Sequence, residues 1–230
     1  MPAPDPDPEE LDRRVGFVAI GRNEGERLVR CLESIRGAHP GATVVYVDSG
    51  STDGSVERAG ELGADVVELD TRIPFTAARA RNAGAARLRE VRPEVDAIQF
   101  LDGDCELDAG WVAAAWRELQ SAPEIAVVCG RRREKHPDAT IWNAIIDLEW
   151  DTPVGEAAAC GGDALYDAAR FHAVGGFDDS VIAGEEPELC FRIRRAGGRV
   201  RRIDHEMTRH DAAITRLGQM WKRNVRGGHA

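Results

Sequence analysis

Four apolar runs, none alternating with polar residues, limit what this chain can fold into. They are "VGFVAI" at 15–20, the run at 43–48 ending in Val47 and Asp48, "ADVVELD" at 64–70 and "DAIQFLDGD" at 96–104. A strand with one wet face alternates, so an unalternating strand is covered on both sides, as in a parallel sheet layered with helices. The segments between the runs read as those helices. Leu28, Leu32 and Ile35 fall at helical spacing in 25–36. Asp53 is a candidate cap for a helix over 54–62, with Gly63 as its stop. Residues 76–90 are rich in Ala and Arg, and Asp108 stands before a helical pattern over 108–120.

Beyond about residue 125 the alternation fades. "IAVVCGRRRE" reads as a strand, "TIWNAIIDLEW" as a helix, and "EAAACGGDALYDAARF" as a strand and turn running into a short helix. "EEPELCFRIRRAG" reads as a helix, "RVRRID" as a strand, and 212–225 as a basic amphipathic helix. No internal repeat occurs. The expected organisation is a disordered, acidic, Pro-rich tail over 1–13 and one domain over 14–230. Within that domain, 14–106 forms one half, 107–211 a second, and 212–230 a basic C-terminal helix.

Charge and cysteine content narrow the function classes. The net charge is −10, yet residues 192–230 hold eleven Lys/Arg against three Asp/Glu. The acidic body disfavours nucleic-acid binding. The basic end suits either phosphates and an anionic membrane surface or a solvated helix face. Five cysteines without a CxxC pair argue against a zinc site or a disulfide framework and for a reducing compartment. The N-terminus lacks the pattern of a secretion signal, and no apolar stretch approaches the ~18 residues of a membrane span.

In an open α/β sheet, ligands bind beyond the carboxyl ends of the strands. Three polar loops occupy those ends: "GRNEGE", "DSGSTDGS" and "LDGDCE". Each alone is readable as a turn before a capped helix; three together point to one ligand crevice. In "DGD" two carboxylates, Asp102 and Asp104, flank a glycine. Carboxylate oxygens are hard ligands that suit Mg2+ or Mn2+ shared with a substrate's phosphates.

With these loops in place, the chain resembles a family-2 glycosyltransferase of the GT-A fold, a Rossmann-like, mixed but mainly parallel sheet flanked by helices. The resemblance runs from about 15 to 210. It is carried by "NEGERLVRCLESI", "VVYVDSGSTDGS", "ARARNAG", "QFLDGDCELDAGW", "GGDALYDAARFHAVGGFD" and "GEEPELCFRIRRAGGRV". It implies an inverting transfer of sugar from a nucleotide-diphosphate sugar, UDP-sugar first, to an acceptor hydroxyl. The acceptor would be a carbohydrate or lipid-linked molecule, as in polysaccharide or cell-envelope glycolipid synthesis. The setting it implies is cytoplasmic, with peripheral association at the inner face of the membrane. The competing classes are a sugar-phosphate nucleotidyltransferase and a silent sugar-nucleotide binder.

The resemblance also implies roles. Residues 14–106 would be the nucleotide-sugar half and 107–211 the acceptor half. Arg22 and Glu24 would lie near base and ribose. Asp48 would bond the base, with Ser49 standing where the family has a second Asp and Ser51 as a further contact. Arg79 and Asn82 would sit near the nucleotide. Asp102 would serve ribose and metal, and Asp104 the metal, with His210 or its competitor His205 completing that site around Mn2+ or Mg2+. Gly162 and Asp163 would meet the sugar or acceptor. Glu186 takes the place of the family's aspartate base, with Glu185 as the competing choice. In "QMWKR", Lys222 and Arg223 replace the Arg and Trp of the processive pattern, so processive synthesis is not expected; Arg223 or Arg226 could reach the diphosphate. Trp142 and Trp150 read as core residues or as sugar-stacking rings.

Overall fold

The structure, a computed structural model, describes residues 6–227, with the side chains of residues 226 and 227 left aside. It opens with helix α1 (Pro8–Arg14), where composition predicted a disordered tail. The same residues that look like a tail make a short helix. Asp7 accepts from the Glu9 amide at 3.1 Å, Pro8 stands in the first turn, and acids lead while Arg13 and Arg14 close. Leu11 is buried, and Asp12 meets His39 at 2.9 Å. Residues 1–5 of the expected tail lie outside the described residues.

The regular half follows as β1 (Val15–Gly21), α2 (Glu26–Ala38), β2 (Val44–Asp48), α3 (Ser55–Glu61), β3 (Asp65–Glu68), α4 (Ala77–Val91) and β4 (Ala97–Asp102). Next come β5 (Cys105–Leu107), α5 (Trp111–Ser121), β6 (Ile125–Glu134), α6 (Ile141–Glu149), β7 (Gly155–Glu156), β8 (Ala164–Asp167) and α7 (Ala168–Ala173). The last elements are α8 (Glu185–Arg195), β9 (Arg199–His210) and α9 (Leu217–Gly227). One mixed sheet runs β3-β2-β1-β4-β8-β6-β9-β5, with β7 also on β9. The strands β1 to β4, β6 and β9 share one direction, while β5, β7 and β8 oppose them. Phe17, Val18, Val45, Val47, Phe100 and Leu101 are fully buried, as two covered faces require.

Four boundaries differ from the sequence reading. Asp53 does not cap α3: Gly54 does, and Asp53 accepts from the Ser55 amide and hydroxyl. Likewise Gly110 stands at the start of α5, and Asp108 accepts from its amide at 3.1 Å. The run 96–104 breaks at Gly103, whose amide turns back onto the Ile20 carbonyl at 2.7 Å. A Cβ at Gly103 would lie 2.9 Å from that carbonyl oxygen, so no other residue fits the turn. The strand beginning at "RVRRID" continues six residues further, to His210, because β6 pairs with it in parallel and β5 antiparallel. Local polarity in "HEMTRH" hid that extension.

Helix α4 lies directly on β1 and β2 through Gly84, where a Cβ would sit 2.3 Å from Val18 Cγ1 and 2.9 Å from Val47 Cγ2. Gly to Ala within a helix ordinarily gains about 1 kcal/mol, whereas overpacking a close-packed core costs about 1–3 kcal/mol. Overpacking wins here, because two β-branched side chains on adjacent strands must both yield. Gly84→Ala is therefore expected to lower stability by roughly 1–2 kcal/mol, read as a lower urea midpoint with unchanged slope; a raised midpoint would refute the close contact.

Candidate active site

The carboxyl ends of β1, β2 and β4 bring the three polar loops side by side, and much of their polarity is consumed in joining them. The Asn23 amide donates to Ser51 Oγ at 2.8 Å, and the Thr52 amide donates back to Asn23 Oδ1 at 2.8 Å. Asn23 holds a left-handed backbone, φ 57°, to do so. Asp48 is 2% exposed. Its Oδ1 accepts from the Tyr46 hydroxyl at 3.0 Å and its Oδ2 from the amides of Gly50 and Ser51 at 2.8 and 2.7 Å. Asp48 thus shapes its loop instead of standing open toward a base. Ser49 is buried, with its hydroxyl unpartnered. Arg22 is exposed at the end of β1.

Arg79 and Asn82 are likewise engaged in holding loops. Arg79 donates to the carbonyls of Ile73 and Asp70 at 3.0 and 2.8 Å. Asn82 donates to the Phe177 carbonyl and to Asp179, and accepts from the Phe177 amide. Both are residues of α4 whose polar ends are taken by groups of neighbouring loops.

The acids of "DGD" stand in a network of arginines. Arg81, on α4 and 3% exposed, donates to Asp102 Oδ1 at 2.8 Å and to Glu185 Oε1 at 2.6 Å. Arg132, near the end of β6, meets Asp102 at 3.2 Å and Asp163 at 2.8 Å. Burial alone would push the Asp102 carboxyl up, but Arg81 and Arg132 outweigh it and hold the group below its ordinary range. Asp163, expected at the sugar or acceptor, is 0% exposed. Its oxygens accept from the Asp102 amide at 2.9 Å and the Thr208 hydroxyl at 2.7 Å. It is a strut that ties β4, β6 and β9 together. Gly162 packs against this network, since a Cβ there would lie 2.6 Å from Arg81 Nη2.

Asp104 faces a different partner. The antiparallel register of β5 on β9 sets Cys105 opposite His210, and His210 Nε2 lies 3.0 Å from Asp104 Oδ2. His205, the competing histidine, instead bonds the Glu206 carbonyl at 2.7 Å and faces Trp111. Burial would raise the Asp104 carboxyl, but His210, Arg132 and Arg27 hold it at about 2. Glu24 lies close by, its carboxyl raised by burial and then by the charge of Asp104. Trp150 sets its ring edge-on to His210 at 5.2 Å and carries the Arg132 guanidinium at 5.5 Å. Both tryptophans pack against the small cluster of Ile146, Ile214 and Met220, and Trp150 also lines the cavity beside His210.

Two cis ligands on an octahedral cation at about 2.1 Å stand roughly 3.0 Å apart, so Asp104 and His210 suit one small divalent ion. The Cys105 sulfur lies nearby, but soft sulfur is a poor match for hard cations such as Mn2+ or Mg2+. The pair opens on a cavity of about 460 Å³ whose other charged walls include Arg27, Arg132, Lys222 and Arg223. A second cavity, about 240 Å³, shares Arg132 and Trp150 and reaches Gly161, Gly162 and Glu149. Arg223 also pairs with Glu149 at 2.8 Å; the Arg226 side chain lies outside the described residues.

The acids at the start of α8 differ sharply. Glu185 is taken by Arg81. Among the described residues, Glu186 accepts only from the Gly161 amide, at 2.9 Å. Burial first, and then the neighbouring Glu185 charge, push the Glu186 carboxyl above its ordinary range. Sequence reasoning missed Arg81 and Arg132. The available signal was that two carboxylates ending a buried strand demand cations, but "ARARNAG" and "GRRRE" each offer more than one arginine.

Comparison with known proteins agrees with this architecture. The glycosyl transferase family 2 model matches residues 18–170. The pre-mycofactocin glycosyltransferase of Mycobacterium tuberculosis is 29% identical over 229 residues, covering 91% of this chain and 45% of its own length. The chain therefore spans about half the length of these curated relatives. Among solved structures, a Pyrobaculum calidifontis mannosyltransferase in complex with GDP-Man and Mn2+ superposes with a TM-score of 0.70 at 18% identity, over 96% of this chain and 63% of that one. Glucosyl-3-phosphoglycerate synthase of M. tuberculosis, in complex with Mn2+, UDP and glucosyl-3-phosphoglycerate, gives 0.68 at 17%, over 98% and 82%. The chain belongs to glycosyl transferase family 2, and its fold is that of the GT-A glycosyltransferases.

Removing Arg81 leaves the half-buried Glu185 carboxylate without its cation and Asp102 with Arg132 alone. Breaking one partner from a buried ion pair typically costs ~3–5 kcal/mol, so Arg81→Met should lower unfolding stability by about that much, measured by urea titration. Adding Glu185→Gln to that variant should restore part of the loss by removing one stranded charge. A lone Arg81→Met variant as stable as wild type would refute the network's structural weight.

Proposed function

We propose that this chain transfers a sugar, with inversion, from a nucleotide-diphosphate sugar to an acceptor hydroxyl, using Asp104 and His210 to hold Mn2+ or Mg2+ and Glu186 as general base. One observation carries the reading. The Asp104–His210 pair, 3.0 Å apart, opens on a cavity walled by Arg27, Arg132, Lys222 and Arg223. A cation held by two protein ligands, facing a basic wall, suits a diphosphate that arrives with four or more oxygens. When bound, the ion supplies Lewis-acid stabilisation of charge on the departing diphosphate. Arg132 and the basic residues of α9 would add to it by facing the same oxygens.

Glu186 is suited to its role by its neighbour. Because Arg81 binds Glu185, the second acid is left to accept a proton from the acceptor hydroxyl as the new bond forms. A single displacement at the anomeric carbon inverts it. In this reading Glu24 and the exposed Arg22 line the nucleotide half, 14–106. Ser49, with a buried hydroxyl and no partner, offers a contact once the loop opens, and Asp48 and Asp102 act by shaping loop and network. Residues 107–211 supply the acceptor half, through Gly162 and the cavity around Trp150. UDP is the favoured base and a carbohydrate or lipid-linked molecule the favoured acceptor, in cell-envelope or polysaccharide synthesis at the inner face of a membrane. Five free thiols support a reducing compartment.

Donor choice is read from thermal shifts with UDP-, GDP- and dTDP-sugars in Mn2+. The product decides the reaction class: a nucleoside diphosphate marks a transferase, pyrophosphate a nucleotidyltransferase.

Asp104→Ala and His210→Ala should each abolish the Mn2+-dependent part of UDP binding in calorimetry; undiminished Mn2+ dependence in either variant would remove that residue from the metal site. Glu186→Gln should leave donor affinity near wild type while kcat falls by about 10²–10⁴. Because its carboxyl is raised, transfer should decline on acidification at a higher pH than an ordinary carboxylate would give, as the base takes up its proton. That acidic limb should vanish in Glu186→Gln. Equal rates for wild type and variant would assign the base elsewhere.

A further inference from the structure

The inner face of α9 is well anchored. Gln219 accepts from the amides of Thr215 and Arg216 at 2.9 and 3.0 Å, Met220 is buried against Ile146 and Ile214, and Arg223 pairs with Glu149. Among the described residues nothing covers the outer face. Leu217 is 64% exposed, Trp221 70% and Val225 46%, and their spacing of four residues sets them in one stripe. On α6, which shares the same small apolar cluster, Ile141 and Leu148 are also exposed. The stretch 212–230 contains Arg216, Lys222, Arg223 and Arg226 and no acid, in a chain of net charge −10.

We infer that the outer face of α9 docks this protein on an anionic lipid bilayer, with Leu217, Trp221 and Val225 entering the headgroup boundary and the exposed Arg216 facing lipid phosphates. An apolar stripe with an amphipathic tryptophan, flanked by Lys and Arg, is how a helix lies in the plane of an interface. A long side chain such as that of Arg216 extends its charge toward the phosphates while its stem stays with the apolar stripe. The charge argues for this occupant. The remainder of the chain is strongly acidic and is repelled by an anionic surface, so only this face can approach one. A second copy is the weaker fit, because a two-fold contact would set the same basic helix against itself.

The position of α9 gives the docking a consequence for the reading above, on which this step rests. Lys222 and Arg223 belong both to α9 and to the wall of the cavity that holds Asp104 and His210. Seating α9 on the bilayer brings that cavity to headgroup level, where an acceptor carried on a lipid would arrive.

Co-sedimentation of the full chain with phosphatidylcholine vesicles, with and without phosphatidylglycerol, tests the inference. Wild type should bind the anionic vesicles, bind the neutral ones far more weakly, and be released by salt. Trp221→Glu and Leu217→Glu, both at exposed positions, should each lower the partition onto anionic vesicles by about tenfold or more. Calorimetric UDP binding with Mn2+ should be unchanged in both, since neither residue lines the cavity; that arm reports on the site reading by itself. No binding to anionic vesicles, equal binding to neutral ones, or wild-type binding in both variants would overturn the inference. So would a wild-type dimer in light scattering that Trp221→Glu dissolves, which would give the face to a second copy.

Discussion

Carboxylates crowd the centre of this protein, and the molecule is arranged around neutralising them. Asp102, Asp163 and Glu185 meet between β4, β6, β9 and α8, where unshielded like charges could not all stay ionised. Two arginines from separate elements resolve the conflict. Arg81 bridges Asp102 and Glu185, and Arg132 bridges Asp102 and Asp163. Each guanidinium has a rigid fork of donors that reaches two acids at once, which a lysine could not match. The pairs also fix distances: α4 cannot move from β4, nor β6 from β4, without exposing a charge.

That arrangement leaves Asp104 and Glu186 outside the arginine network. Asp104, one residue past the Gly103 turn, faces His210 and an open basic cavity. Glu186, one residue past the captured Glu185, keeps a raised affinity for protons. In both places adjacent acids diverge because one is consumed by an arginine and its neighbour is not. The loops of β1 and β2 follow a similar economy of partners, with Asp48, Ser51 and Asn23 stitched to one another. A stretch dense in Asp, Ser and Gly is first of all a stretch that can hold its own backbone.

The basic C-terminal helix links this centre to the surface. Its buried side packs on α6, its polar edge lines the cavity, and its apolar stripe faces outward. The arginines nearer the start of that basic region behave differently: Arg192, Arg199 and Arg201 pair with Glu188, Glu124, Glu156 and Glu118. Net charge along the sequence could not separate these two groups, because pairing depends on strands brought from elsewhere.

By itself the sequence determined the order of elements from β1 through β4, since unalternating apolar runs admit few alternatives, and it determined that Asp102 closes a buried strand. The resemblance carried by "DSGSTDGS", "ARARNAG" and "GGDALYDAARF" added the family, which the match over residues 18–170 bears out. The helix of Pro8–Arg14 was misread because acid and proline serve a tail and a helix start equally. Only the tertiary structure chose Arg81 and Arg132 from their runs of arginines, sent Asp163 inward, and chose His210 over His205. Those choices follow from pairing across the sheet: β5 against β9 aligns residues more than a hundred positions apart, and spacing along the chain carries no record of that register.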